Sequence, residues 1–465
     1  MSHYTNPSLS VANPHPPFLS ALQKFALSIG SIGLLFLFVS GFGGEQIHKS
    51  GWLLASLIFL SIGILLYAWD TYRNRPTGIK NNGVWFSSIS NRGILAWMAG
   101  ILITGFYVLL YFYPAQLGLA AANEANSGLI AFFDPLSQLI KNQPASQWFV
   151  YGVLYTLAIL LFGIKFILKY QHNRYQVIRT VSVMFFQLCF AFMIPEILER
   201  LNQPSMDLKN MWPLNYYFFF DWNLDKLTKG GNLGIFMLGW GIALIFIISP
   251  ILTYFFGKRW YCSWVCGCGG LAETAGDPFR HLSDKSIKAW KIERWLIHSV
   301  LVFAILMTVF VLYTYFTGKS QFLFINSYQV RETYGFFIGA IFSGVIGVGF
   351  YPLLGSRVWC RFGCPMAAIL GLQQRFFSRF RITTNGGQCI SCGNCSTYCE
   401  MGIDVRHYAQ RGQNIVRASC VGCGICAAVC PRGVLRLENG SVDIKERTSD
   451  LKTLHISKEE GVHIM

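Results

Sequence analysis

Two runs of cysteine carry the most specific chemistry in this chain. Cys389, Cys392, Cys395 and Cys399 are spaced x2, x2, x3, and Cys420, Cys423, Cys426 and Cys430 repeat that spacing, with Pro431 after the last. Three thiolates at short fixed intervals wrap a loop around one face of an iron–sulfur cube, and the fourth ligand must come from elsewhere. Zinc is the competing reading. It takes four ligands per site, usually as two pairs across a longer loop, and two copies of x2, x2, x3 fit that badly. A disulfide scaffold would be short and secreted. This chain has 465 residues, and of its 14 cysteines all but Cys189 lie beyond residue 260. Gly393, Gly422 and Gly424 stand where tight turns and free backbone N–H groups for cluster sulfurs are needed.

A second cysteine repeat lies upstream. Gly257-Lys-Arg259-Trp-Tyr-Cys262-x3-Cys266 matches Gly355-Ser-Arg357-Val-Trp-Cys360-x3-Cys364, the latter followed by Pro365. Cysteines at i and i+4 on a helix share one face, so each pair presents two thiols in one direction. The two pairs together would give four thiolates to one site, with Arg259 and Arg357 holding negative charge there. Three readings stay open for Cys262, Cys266, Cys360 and Cys364: a third iron–sulfur or metal site, a redox dithiol or transient metal-handling site, or inert packing. Cys268 is an extra thiol beside the first pair. Cys189 stands alone in an apolar run and reads as a small packed hydrophobe.

The elements that must position these residues are membrane helices. Apolar residues make up 53% of the chain and charged residues only 13%, against about 25% charged in soluble domains. That excludes a soluble enzyme, a disordered chain and a fibre. A spanning helix needs about 20 mostly apolar residues, and eight candidate spans fall near 24–43, 51–69, 93–113, 147–168, 176–195, 231–256, 293–317 and 335–354. Pro195 and Pro250 read as helix ends. Lys and Arg concentrate in segments 73–92, 165–179, 258–294 and 357–381 and are sparse in the alternate loops. Positive residues favour the cytoplasmic side, which places the cysteine motifs and both termini there. The net charge of +16 is therefore assigned to cytoplasmic loops and not to nucleic acid. The expected organisation is a cytoplasmic tail (1–20), N-terminal membrane helices (21–200), C-terminal membrane helices with the paired cysteine motifs (201–378), a small α+β two-cluster ferredoxin-like domain (379–440) and a loose charged tail (441–465).

The C-terminal spacing resembles that of bacterial two-cluster ferredoxins. That resemblance implies two [4Fe–4S] clusters, one on Cys389, Cys392, Cys395 and Cys430, the other on Cys420, Cys423, Cys426 and Cys399. Glu400 stands where the first motif of that family would usually carry Pro, a departure expected to touch only local loop geometry. The order of two membrane Cys-x3-Cys motifs followed by a double ferredoxin motif is similar to polyferredoxin-type membrane proteins of the NapH/NosR/CcoG kind, over about 230–440. Gly267 replaces Pro after the first pair, and neither an immunoglobulin-like nor a flavin-bearing domain is read from the sequence. The resemblance implies a bacterial inner-membrane component of an oxidoreductase system, passing electrons between the quinone pool or a redox partner protein and cytoplasmic-face [4Fe–4S] clusters. The alternative it leaves is a copper reductase or cofactor-assembly protein working through the membrane cysteines, since soft thiolates suit Cu(I).

The remaining signals are weaker. Segment 271–288, with Glu273, Asp277 and His281, reads as a solvated polar loop, with a docking or quinone-adjacent surface as the alternative. His298 falls inside a span, as a quinone or proton contact or a side chain reaching the interface. A single such His argues against intrinsic haem. Glu196 and Glu199 read as span terminators. No Gly-rich nucleotide loop lies between strand and helix, and no catalytic residue is assigned.

Overall fold

A computed structural model describes residues 19–42, 50–73, 87–121, 124–322, 325–440, 454–457 and 461–464. Among these residues are eight helices long and apolar enough to cross a membrane: Ala21–Val39, Gly51–Tyr72, Ile94–Phe112, Gln147–Tyr170, Arg174–Arg200, Gly231–Phe256, Ile287–Thr317 and Ser327–Gly349. The number agrees with the sequence reading, and the chain is a helical membrane protein. The seventh span begins earlier than its apolar run, because Ser286 caps it by accepting from the Ala289 N–H. The eighth stops at Gly349, so Pro352 lies in a separate short helix, Tyr351–Leu354.

Pro195 and Pro250 do not end their helices. The fifth span changes to π-helix over Phe186–Met193 and resumes as α-helix over Ile194–Arg200, with Pro195 in its first turn. The sixth does the same, with π-helix over Leu244–Ile248 and Pro250 at the start of Ser249–Phe256. The wider turns re-register the backbone so that each proline falls where no intrahelical N–H is needed. Glu196 and Glu199, just beyond Pro195, engage Lys141 at 3.5 and 3.6 Å.

The first two spans approach closely through small residues. Ser56 donates to the Gly33 carbonyl at 2.8 Å, and a Cβ added to Gly63 would lie 2.7 Å from the Gly30 Cα. Such contacts are the usual glue between helices in lipid. Residues 204–220, between the fifth and sixth spans, fold into the bundle. Trp240 Nε1 donates to the Leu208 carbonyl at 2.8 Å, and Trp212 Nε1 to Thr308 Oγ1 at 2.9 Å.

The polar C-terminal module sits against the bundle on the side where the cysteine motifs emerge. Strand Phe380–Thr384 pairs antiparallel with Leu435–Asn439, and Ile382 also bridges Ile415. Between the strands lie two matching short helices, Asn394–Thr397 and Ile425–Ala428. Each is capped by a glycine at φ +76°, Gly393 and Gly424, a left-handed geometry that only glycine adopts cheaply. One apolar core runs through both parts, from Met211, Cys262, Cys360 and Leu370 to Phe380, Ile403, Ile415 and Val421. Of the expected terminal tails, residues 1–18 lie outside the described residues. In 441–465 the described part is an antiparallel strand pair, Leu454–Ser457 with Gly461–Ile464.

Replacing Gly63 by Val is expected to push the first two spans apart and lower the thermal midpoint of the detergent-solubilised protein, the overpacking costing about 1–3 kcal/mol. Gly105, with nothing within 4 Å of its added Cβ, is the control: its Val variant should unfold like the parent.

Candidate metal centres

The structure brings the eight C-terminal cysteines together as two crossed sets. Cys389, Cys392, Cys395 and Cys430 line one small cavity, and Cys399, Cys420, Cys423 and Cys426 line a second. Each set thus takes three thiols from one motif and one from the other, as the likeness to two-cluster ferredoxins implies. The donor chemistry fits iron–sulfur clusters: four soft sulfurs per set, in tight loops opened by Gly393, Gly422 and Gly424 at φ +76°, +63° and +76°, with the Glu400 carboxylate also in the wall of the second cavity. Burial pushes the Cys395 and Cys423 thiols up to about 12 and Cys399 to about 11. Loading a metal centre here must therefore displace protons.

The loop at 420–423 is held by the membrane domain through its backbone. Tyr175 donates to the Gly422 carbonyl and Gln176 to that of Cys423, both at 2.8 Å. Ser263 donates to the Val421 carbonyl at 2.9 Å, and Gln374 to that of Cys420 at 2.8 Å. These four clamps come from the start of the fifth span, the first Cys-x3-Cys motif and the helix after the second. None was legible in the sequence, because an isolated Gln or Tyr carries no spacing signal.

The upstream cysteines also converge. Cys262, Cys266, Cys360 and Cys364 are 6%, 7%, 7% and 6% exposed and share one core cluster. The helical expectation needs correction: neither pair lies on one continuous helix. Cys262 ends the short helix Arg259–Cys262, and Cys266 caps the next, Gly267–Thr274. Cys360 lies in a π turn, Trp359–Gly363, and Cys364 caps Pro365–Phe377, accepting from the Ala367 N–H at 3.4 Å. Each motif is entered through a positive-φ glycine, Gly257 at +66° after the sixth span and Gly355 at +97° after the short helix Tyr351–Leu354. Burial pushes Cys262 up to about 12. Burial and then the Cys360, Cys262 and Cys266 sulfurs hold Cys364 far above the ordinary thiol range. Cys266 goes the other way, since the Cys268 thiol donates to it and favours its thiolate. Cys268 is half-buried and packs against the same cluster, and Met211, from the folded-in 204–220 stretch, is buried within it. Cys189 lies half-buried in the π-helical part of the fifth span.

Between this set and the module lies a buried ionic network that the sequence reading did not anticipate. The first part of segment 271–288 is not a solvated loop: Glu273, Asp277 and Arg280 are 2%, 3% and 0% exposed, and only the stretch from Asp284 on is open to solvent. Glu273 pairs with Arg179 and Arg357. Glu400 pairs with Arg357 at 3.0 Å and with Arg280 at 2.6 Å, and Arg280 continues to Asp277 at 2.8 Å, which also holds Lys169 at 2.6 Å. Burial alone would push the Glu400 carboxyl up, but Arg280, Arg357 and Arg179 override it and hold it below its usual range. Glu400 is thus a hub between the two parts of the chain and far more than a local loop substitution. Arg357 also donates to the Cys262 carbonyl at 3.2 Å and to Cys360 Sγ at 3.6 Å. Arg259, expected to act with it, instead lies over the Phe380 ring at 4.6 Å and donates to Asn439 Oδ1 at 2.7 Å.

Comparison with known proteins agrees with this geometry. Residues 388–435 match a 4Fe-4S dicluster domain, and 238–286 and 335–383 match a 4Fe-4S binding domain, one copy around each Cys-x3-Cys motif. The chain is 27% identical over 172 residues to YccM of Escherichia coli (strain K12), whose name marks it as a candidate electron transport protein. That alignment covers 35% of this chain and 47% of YccM, so the matched part spans about half of that relative. MauN of Paracoccus denitrificans, a methylamine utilization ferredoxin-type protein, is 27% identical over 214 residues, 40% of this chain and 69% of MauN. An uncharacterized protein of Methanocaldococcus jannaschii, MJ0749, is 26% identical over 219 residues, 45% of this chain and 76% of that protein. No solved structure matches significantly. Fold and cysteine sets define a membrane iron–sulfur protein. The chain carries segments similar to a 4Fe-4S dicluster domain and to 4Fe-4S binding domains, which support the polyferredoxin-type likeness read from the motifs.

Removing the charge of Glu400 leaves Arg280 and Arg357 buried beside a neutral amide. Glu400→Gln is expected to destabilise the joined structure by about 3–5 kcal/mol, read as a lower denaturant midpoint in detergent and faster proteolytic release of the C-terminal module. Glu332→Gln, at an exposed residue outside the network, should change neither.

Proposed function

We propose that this protein transfers electrons at the cytoplasmic face of a bacterial inner membrane, between the quinone pool or a protein redox partner and a chain of three four-iron sites. Two are the crossed sets in the C-terminal module: Cys389, Cys392, Cys395 and Cys430 in the outer, and Cys420, Cys423, Cys426 and Cys399 in the inner. The third is Cys262, Cys266, Cys360 and Cys364. The observation that carries this reading is the convergence of four buried thiols from two matching motifs, each within a segment similar to a 4Fe-4S binding domain. One-electron exchange is what bound clusters of this type supply. The chain holds them, excludes water and fixes their relative positions. The outer set supports contact with a soluble partner, since Cys389 and Cys392 are half-buried and Ile390 beside them is 58% exposed. The concentration of Lys and Arg on the cysteine side supports the cytoplasmic orientation.

A second reading is copper reduction or cofactor assembly. It draws support from the sulfur-rich surroundings of the membrane set, where Cys268 and Met211 share the core with the four thiols, an environment suited to Cu(I).

Iron and acid-labile sulfide should be counted on anaerobically purified protein. The electron-transfer reading expects about twelve iron atoms per chain, falling to about eight in a Cys262→Ser/Cys360→Ser double variant whose reduced ferredoxin-type EPR signals persist. About eight in the parent, with copper bound stoichiometrically and lost in the variant, would replace it by the assembly reading.

A further inference from the structure

A cavity beside the cysteine sets is lined by several cations, among them Lys258, Arg294, Arg375 and Arg417. It measures about 250 Å3 and lies between the start of the seventh span, the helix Pro365–Phe377 and the module loop at 416–419, with Cys360 in its wall. Lys258 lines it while only 1% exposed. The Lys258 ammonium forms no ion pair with a carboxylate among the described residues; its charge acts on the Cys262 and Cys420 sulfurs. Opposite, the Arg294 and Arg417 guanidinium groups lie over the same indole, Trp290, at 5.2 and 4.9 Å. Neither has a carboxylate partner among the described residues, and Arg375 adds a further positive group to the lining. The one carboxylate in the wall, Glu293, is already engaged by Arg361 at 2.7 Å. Two guanidinium groups on one ring repel one another, and an anion between them would offset that repulsion.

We propose that this cavity is a binding site for a phosphate-bearing anion, with Lys258, Arg294 and Arg417 as its ligands. Arginine suits the planar, multidentate recognition of phosphate, and a buried ammonium supplies a point charge at the base of the site. The rim indicates where such a group can come from. Phe376, in the cavity wall, is 66% exposed, giving apolar surface beside a basic pocket at a span end, as in sites for anionic lipid headgroups. A soluble phosphate meets the same three cations without using that rim. None of its three ligands is a cysteine, although Cys360 lies in the wall and Lys258 also acts on the Cys262 and Cys420 sulfurs.

The test is binding to the full-length, cluster-loaded protein in neutral detergent. Cardiolipin, phosphatidylglycerol, phosphatidylcholine and inorganic phosphate are each titrated against thermal stability and native mass. The site predicts that anionic lipids bind at least about tenfold more tightly than phosphatidylcholine, and that Arg294→Gln/Arg417→Gln abolishes the difference while leaving iron content unchanged. Inorganic phosphate that stabilises as strongly as the lipids, with the same loss in the variant, supports the site and assigns it to a soluble anion. Equal binding of charged and neutral lipids with no effect of phosphate, or anion binding that survives the double substitution, overturns it.

Discussion

Arg357 and Glu400 meet in a place where neither charge could exist alone. Both are buried, and each ion taken out of water costs several kcal/mol before any partner is counted. The cost is recovered only if the whole set closes: Arg179 and Arg357 on Glu273, Arg357 and Arg280 on Glu400, Arg280 and Lys169 on Asp277. The members come from the fourth and fifth spans, the segment after the first Cys-x3-Cys motif, the second such motif and the first ferredoxin motif. A network of this kind makes docking of the C-terminal module all-or-none. With the module seated, every charge is paired; displaced by one turn, several are stranded.

That constraint gives the cysteine sets their fixed relation. The network passes between the membrane set, where Arg357 touches the Cys262 carbonyl and the Cys360 sulfur, and the inner module set, whose Cys399 immediately precedes Glu400 and whose 420–423 loop hangs by its carbonyls from Tyr175, Gln176, Ser263 and Gln374. A mobile tether would serve a ferredoxin that shuttles. Rigid attachment serves one that must keep a set distance to a partner site in the membrane domain. The same positive residues that hold the carboxylates also offset the negative charge that thiolate-bound clusters bring.

Much of the site was legible in the sequence, for a physical reason. Cluster loops need thiolates at short intervals and glycines at left-handed turns, so Cys389 to Cys430 and Gly393/Gly424 announce themselves by spacing alone. The eight spans were equally plain, because lipid demands unbroken apolar length. What stayed hidden depends on tertiary pairing. Segment 271–288 has the polarity of a solvated loop, and only its burial against Arg179, Arg357 and Glu400 shows that its carboxylates are structural. Glu400 looked like a mild departure from a motif because its two arginines lie 43 and 120 residues away. Pro195 and Pro250 read as helix ends because sequence does not reveal the π turns that absorb them. Met211 and Gln176 carry no pattern at all.

The central claim is that the four membrane cysteines hold a third iron centre in register with the two of the module. Anomalous scattering measured at the iron edge on anaerobically grown crystals tests it most directly. The account predicts three iron peaks per chain, two within the module and one enclosed by Cys262, Cys266, Cys360 and Cys364. Two peaks confined to the module, with those four sulfurs free of iron in the same map, would contradict it.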